Sequence, residues 1–421
     1  MNLRTSPSTN PDSLLPIAMR ITASLPVGFD PLGSNSKSTF PNLNQQVIND
    51  ENLVFDAETH TFQEVSKKFK VKKYDSKVVR RKRYALQSSA AKLLPKESVS
   101  RCLRFVQKAG DGVLVFKSKK HESASYSGLQ VCSSVWTCPV CSAKISERRR
   151  KEVHSAIKQH EENGGEVILC TLTVKHSLDD ELKSLLKGQK KALSRFTGTN
   201  RTRKILKAAG HIGSIRAFEL TYSDNAAWHP HHHVLLFLDA GVDKKQLEED
   251  LFDQWKNACR LAKLKEPNRE HGLRIDGGSK ASNYIAKWGL DYEITKGISK
   301  KSNKGRSPFD LLKDFSKGDK QAGALFIEYA GAVKGSAQLF WSRGLKDLFN
   351  IEELNDKELE GKDEDDAELV GRLEVFEWKL IVKNNLRCTV LEIAEEVGWS
   401  GIRQLLDELI AKDEEIERKL Y

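Results

Sequence analysis

The sequence predicts an α+β protein: a mixed sheet domain with a hairpin at its centre and flanking helices, preceded by a cysteine-rich segment and followed by an acidic, mostly helical tail. Three observations carry this. Between residues 166 and 290, apolar β-branched runs and amphipathic stretches follow one another as β-α-β-β-α-β-α, with a polar loop of hairpin length at Ser223–Ala227. Four of the seven cysteines, Cys102, Cys132, Cys138 and Cys141, lie ahead of that block. Residues 351–421 hold 21 acidic and 10 basic side chains, whereas the first 350 hold 59 basic against 37 acidic, a surplus of 22.

With 421 residues, 39% hydrophobic and 30% charged, the chain is long enough for two or three domains and a sizeable core. No apolar run approaches the roughly 20 residues of a membrane span. The N-terminus, with Arg4, Pro7 and Pro11 among Ser, Asn and Thr, has no secretory hydrophobic core. The expected compartment is the cytoplasm, with no membrane partner. A body this basic suits a polyanion, and nucleic acid is the default partner.

Residues 1–65, rich in Ser, Asn, Pro and Thr, read as a disordered arm. Residues 66–150 begin with basic runs, Lys67–Lys73 and Arg80-Arg81-Lys82-Arg83-Tyr84. Interleaved with Phe69 and Tyr84, these form either a solvated face or a track for a phosphate backbone. Then comes Cys132-x5-Cys138-Pro139-Val140-Cys141, with Cys102 thirty positions upstream. In a reducing compartment a tight Cys-x-x-Cys is more often a zinc knuckle than a disulfide. The polar Ser133-Ser134 context argues against a thioredoxin-type redox pair. Cys132 and Cys102 would complete a tetrahedral Zn2+ site, with His121 as the rival of Cys102.

Residues 151–348 form the expected central domain. Helix is predicted for Ile145–His160, closed by Gly164-Gly165, then a buried strand over Glu166–Val174 and a helix over Asp179–Arg195. Ile212–Tyr222 is a strand carrying Glu219, and Asp243–Lys263 a helix. Leu273–Ile275 is a short strand, Ser282–Leu290 a helix and Gln321–Val333 a further helix. Between Glu219 and Asp243 lies Trp228-His229-Pro230-His231-His232-His233 followed by Val234-Leu235-Leu236-Phe237-Leu238, four of the 11 histidines within five positions. On a strand, His229, His231 and His233 project to one face and His232 to the other. Two imidazoles at i and i+2 can grip one divalent ion; Zn, Mn, Ni and Co suit them, and carboxylate help extends this to Mg. Pro230 argues for an edge strand or a strand start, and so for the rim of the sheet.

In Asn283-Tyr284-Ile285-Ala286-Lys287-Trp288, a helix would put Tyr284 and Lys287 on one face. A phenol with pKa near 10 attacks poorly unless a cation stabilises the phenolate. In the final region, 349–421, Asp363–Asp366 reads as a linker and Val370–Val382 as a helix. Leu391–Leu409 reads as two helices broken at Gly398–Gly401. A helix-turn-helix is conceivable there, but Asp407 and Glu408 on its second helix favour a protein-interaction or dimerising role over DNA contact.

Motif by motif, the chain resembles the rolling-circle replication initiators of plasmids and phages, within the HUH (His-hydrophobic-His) endonucleases. Thr171-Leu172-Thr173 resembles their first motif, His229-Pro230-His231-His232-His233 the second, and Tyr284-x-x-Lys287-Trp288 the third. Gly128–Cys141 is similar to the zinc-binding stretch of one branch, and the resemblance spans roughly residues 100–345. It implies an HUH-type antiparallel sheet with flanking helices and a site-specific nicking and joining reaction on origin DNA, single-stranded at the nick. Tyr284 would be the nucleophile, Lys287 its helper, and Mg2+ or Mn2+ the metal. The products would be a 5′-phosphotyrosine and a 3′-OH that primes replication, with host helicase and replication machinery as further partners.

His231 and His233 match the two-histidine core, and Glu219 is the expected third ligand with His229 as competitor. Some relatives carry a glutamate three or four residues before the tyrosine; here those positions are Ala281 and Lys280, so the termination step has no assigned residue. Tyr292 lies about 80° round a helix from Tyr284 and is a weak second nucleophile. No Walker P-loop is present. A conjugative relaxase or transposase of the same chemistry, or a non-catalytic zinc-stabilised DNA-binding regulator, are the competing readings.

Overall fold

The computed structural model describes residues 53–56, 61–64, 76–108, 110, 112–277, 305–361 and 367–420. Inside the stretch expected as an arm, β1 (Leu53–Asp56) and β2 (Thr61–Glu64) pair as an antiparallel hairpin. The Arg80–Arg83 run falls on helix α1 (Ser76–Leu93), while the Lys67–Lys73 run lies outside the described residues, and β3 (Gly112–Ser118) and β4 (Ala124–Ser127) form the next hairpin. Helix α2 (Pro139–Glu162) starts earlier than hydrophobic periodicity suggests. Cys138 is its N-cap and Pro139 its first residue, so the cysteine knuckle is itself the helix start.

From there the predicted order holds: β5 (Gly165–Thr173), α3 (Leu182–Gly198), β6 (Gly213–Ser223), β7 (Ala227–Asp239), α5 (Lys244–Leu261) and β8 (Leu273–Asp276). One helix was not expected, α4 (Asn200–Ala208), capped by Thr199, whose side chain accepts from the Thr202 N–H. Beyond residue 305 come α6 (Pro308–Ser316), α7 (Lys320–Val333), β9 (Leu339–Trp341), α8 (Leu345–Leu348) and α9 (Asp356–Gly361). Tyr284, Lys287 and Tyr292 lie outside the described residues.

The main sheet is antiparallel throughout, in the order β8-β5-β7-β6-β9. The histidine strand β7 is therefore central, which excludes the edge strand and leaves the strand start of the two positions Pro230 offered, Pro230 being the fourth residue of β7. Proline is tolerated because the β5 ladder stops at Thr173–His231, leaving Pro230 paired only with Leu220 on β6. One sheet face packs Val167, Leu169, Leu235 and Phe237 against α2. The other packs Ile168, Cys170, Val234 and Leu236 against α3 and α5. Trp136, from the cysteine segment, docks that segment on the sheet: its ring meets Phe218 edge-on and its N–H donates to the Ser336 carbonyl at 2.7 Å.

The acidic end departs furthest from expectation. Residues 367–374 are a strand, β10 (Ala367–Glu374), rather than the start of a helix, because they pair with β3 in a β10-β3-β4 sheet. Helices α10 (Val375–Lys383), α11 (Arg387–Glu396) and α12 (Trp399–Leu420) follow, the last two hinged at Gly398 with φ 82°. Gly371 leaves room for the Trp399 ring, which a Cβ would meet at 2.2 Å. Trp378, Ile381, Val390, Ile402 and Leu406 bury against Val113, Val115 and Leu129. The acidic tail thus finds its partner within its own chain.

Charge drives the same docking. Lys77, Arg80 and Arg81 on α1 pair with Glu396, Glu395 and Glu392 on α11. The Arg80–Glu395 contact is bidentate at 2.5 and 2.7 Å, and the Glu395 side chain is only 8% exposed. Burial lowers the Arg80 pKa, but the hydrogen-bonded Glu395 outweighs it and the guanidinium stays charged. Much of the Arg80–Arg83 run is thereby taken up inside the protein. Glu395→Ala should cost about 3–5 kcal/mol, since it strands a buried cation, whereas Arg80→Met with Glu395→Leu should cost much less. Urea unfolding of the three proteins tests this; equal losses in the single and double variants would contradict it.

Candidate metal centres

Strand alternation and register build the first centre. Glu219 on β6 stands directly opposite His231 on β7, and Thr173 and Thr171 on β5 stand opposite His231 and His233. Directly paired residues share a sheet face, so a carboxylate, two imidazoles and two hydroxyls collect on one surface. Their ligand atoms converge: one Glu219 Oε lies 3.1 Å from His231 Nε2 and 3.4 Å from His233 Nε2. Neighbouring ligands around an ion at about 2.1 Å are roughly 3.0–3.4 Å apart, so the set fits one small divalent cation.

The rings are held in the sense a metal requires. His233 Nδ1 lies 3.0 Å from the Thr171 hydroxyl and His231 Nδ1 3.3 Å from the His229 carbonyl. With Nδ1–H directed to those oxygens, both Nε2 lone pairs face Glu219. Burial pushes the Glu219 carboxyl up, but His231 and His233, when their Nε2 atoms carry protons and donate to it, outweigh this and hold it well below the usual carboxylate range. Its side chain is 35% exposed, so a ligand from solvent can reach it.

His229 is not in this group. Its Nδ1 sits 2.6 Å from His176 Nε2, and burial, then His231 and His176, lower its pKa to about 4. His232 faces the other way, against Phe218, and burial, then Arg216, brings it down to about 3. The sequence reading named Thr171 in a motif without giving it a task and did not single out His176. Thr171 lies 62 positions from His233, and only the β5–β7 register brings them together.

The second centre joins Cys102, Cys132, Cys138 and Cys141, whose sulfur atoms all lie within 4.8 Å of one another. Sulfur separations of 3.5 Å (Cys102–Cys141), 3.7 Å (Cys132–Cys141) and 3.8 Å (Cys102–Cys138) approach the roughly 3.8 Å edge of a tetrahedral ZnS4 unit. Cys102, rather than His121, completes the set. Although burial opposes it, hydrogen bonds from the other three thiols hold Cys138 low, while Cys102 and Cys141 are raised.

A buried arginine closes this centre from the far end of the chain. Arg387, on α11, is 2% exposed. Its guanidinium donates to Gln87 Oε1 at 2.7 Å and to the Leu103 carbonyl at 2.9 Å, and no carboxylate pairs with it among the described residues. The Gln87 amide in turn donates to Cys138 Sγ at 3.5 Å and to the Cys102 carbonyl at 3.2 Å. Four thiolates around a divalent ion carry two net negative charges, the compensation this buried cation otherwise lacks.

Comparison with known proteins adds the following. The sequence model of a family described as replication protein matches residues 127–385. A protein from Streptomyces lividans called protein rep is 25% identical over 345 residues, 64% of this chain and 76% of its own. A neomycin resistance protein from Streptomyces cyanogenus is 28% identical over 184 residues, covering 36% of this chain and 42% of its own length. No solved structure matches. No helix among the described residues is long and apolar enough to cross a membrane.

Arg387→Met keeps side-chain bulk and removes the charge, so metal held by the four cysteines should escape to a chromogenic chelator about 10- to 100-fold faster than from wild type. Arg387→Lys should recover part of the difference. Equal release from the Met variant and wild type would show that Arg387 only packs.

Proposed function

The chain belongs to the replication protein family, and from that premise we propose that it nicks and rejoins origin DNA through a tyrosine to start rolling-circle replication of a plasmid. The observation that supports this most is the convergence of His231 Nε2, His233 Nε2 and the Glu219 carboxylate on one accessible sheet face. An ion held there, Mg2+ or Mn2+ in this reading, would polarise a scissile phosphate and offset its developing charge. Thr171 keeps the His233 ring oriented.

The nucleophile in this proposal is Tyr284, assisted by Lys287. Its phenolic oxygen attacks phosphorus in line with the 3′-oxygen. The P–O3′ bond breaks, the 3′-oxygen leaves and is protonated, and the 5′-phosphate stays on the tyrosine. The described flanks of that segment, Asp276 and Arg306, lie on β8 and hydrogen-bonded to Tyr222 of β6, either side of strands β5 and β7. In the same reading, residues 151–348 carry the nuclease and strand-transfer chemistry. Zn2+ in the four-cysteine centre is structural and joins the first and last parts of the chain. Origin DNA and the host helicase and replication machinery are the partners.

His231→Ala or His233→Ala should abolish metal-dependent nicking of supercoiled origin plasmid while DNA binding persists; full nicking in both would remove this centre from the reaction. For the nucleophile, single-stranded origin DNA with Mn2+ or Mg2+ should give a denaturation-resistant protein–DNA conjugate with wild type and none with Tyr284→Phe. Lys287→Ala should slow conjugate formation without ending it, since one charge contact contributes a few kcal/mol of the barrier. A conjugate formed by the Phe variant would move the nucleophile elsewhere, first to Tyr292.

A further inference from the structure

Three of the six cations of α1 are paired with α11, yet the surplus of positive charge must be displayed somewhere. Between residues 182 and 208 there are nine basic side chains and no acidic one. All nine are exposed: Lys183, Lys187, Lys190, Lys191 and Arg195 on α3, and Arg201, Arg203, Lys204 and Lys207 on α4. None has an ion-pair partner among the described residues. On the neighbouring helix α5 and the loop after it, by contrast, Lys244, Lys256 and Lys265 pair with Glu166, Glu266 and Asp180.

Their arrangement is ordered by the core. Leu185, Ala192, Leu193 and Phe196 bury the inner stripe of α3 against the sheet, which turns Lys183, Lys187, Lys190, Lys191 and Arg195 outward at helical spacing. From Lys183 to Arg195 the stripe runs about 18 Å, along which a duplex carries one phosphate charge per roughly 1.7 Å of axis. Phe196, the sole aromatic residue of 182–208, is buried. The surface therefore offers cations and hydroxyls but no stacking platform for unpaired bases, which favours a duplex backbone over a single strand.

We propose that the outer face of α3 and α4 docks the phosphate backbone of double-stranded DNA without reading sequence, on the side of the sheet opposite the Glu219–His231–His233 centre. The opposition follows from alternation: α3 packs on the face of Val234 and Leu236, while His231 and His233 share the face of Leu235 and Phe237. This rests on the reading of the chain as a protein that acts on DNA. The duplex flanking the nick is held behind the sheet, and the strand to be cut is engaged in front.

The test uses the full chain and a labelled duplex of arbitrary sequence, titrated at several salt concentrations. A variant combining Lys187→Gln, Lys190→Gln, Lys191→Gln and Arg195→Gln alters only exposed, unpaired side chains, so its thermal unfolding should match wild type. Affinity should fall roughly tenfold or more, and the slope of log K against log salt should flatten by about 3 to 4, near 0.9 per lost phosphate contact. Lysine-to-arginine exchange at 187, 190 and 191 should retain both. If wild type binds the duplex and the Gln variant binds with the same affinity and slope, the surface assignment is wrong. If wild type binds no DNA at all, this assignment and the proposed function fall together. Duplex binding that depends on these residues in a protein that never nicks would overturn the proposed function and leave the surface standing.

Discussion

Glu219 faces His231 because the β6–β7 hairpin closes at Ser223–Ala227, and that pairing fixes everything downstream. Strand side chains have a period of two, so a slip of one residue would send His231 and His233 to the α3 face and bring His232 to the front. The buried residues that follow pin the register from both sides: Leu235 and Phe237 on one face, Val234, Leu236 and Leu238 on the other. The convergence of Glu219, His231 and His233 is thus a by-product of hydrophobic packing a few residues away. Three polar ligands could not enforce it alone, since gathering them costs desolvation that a bound ion would have to offset.

The second constraint is the segregation of charge along the chain. A basic body and an acidic end look like two separate properties in one dimension. In three dimensions they are halves of one interface, with α1 against α11 and β3 against β10. That interface also surrounds the cysteine cluster, through Gln87 from α1 and Arg387 from α11. A charged pair inside protein contributes little stability by itself, but it is specific about its partner. Here it joins α1 to α11, the two helices that bring Gln87 and Arg387 to the thiols.

The elements legible in the sequence were those set by local pattern. The strands at 166–174 and 212–222, the His strand and the helices at 243–263 and 321–333 each announce themselves by period and cap. The Cys-x-x-Cys knuckle and the alternation of His231 and His233 were legible for the same reason. What was not legible depends on distant partners. Residues 367–374 contain Val370 and Leu373 in a sequence that suits a helix, and only the waiting edge of β3 makes them a strand. Pro230 left an edge strand and a strand start both open, and the end of the β5 ladder one pair earlier decides between them. Arg387 gave no sign of its role, since 285 positions separate it from Cys102. The α3 helix was recognised as amphipathic, but that its cations stay unpaired while those of α1 do not is a property of the assembled surface.

The two kinds of electrostatics in this protein place opposite demands on their surroundings. A centre that holds a divalent ion needs its ligands half-sheltered, because a low local dielectric strengthens each contact and keeps the imidazoles oriented. A surface that tracks a polyanion needs open water and mobile side chains, because its binding comes largely from releasing counterions. One patch cannot satisfy both. Placing His231 and His233 on one face of a sheet, and nine exposed cations on helices over the other, separates the two demands by the thickness of a single sheet-and-helix layer. Because β7 contributes to both faces, the same strand sets the position of His231 and His233 in front and, through Val234 and Leu236, of the α3 stripe behind.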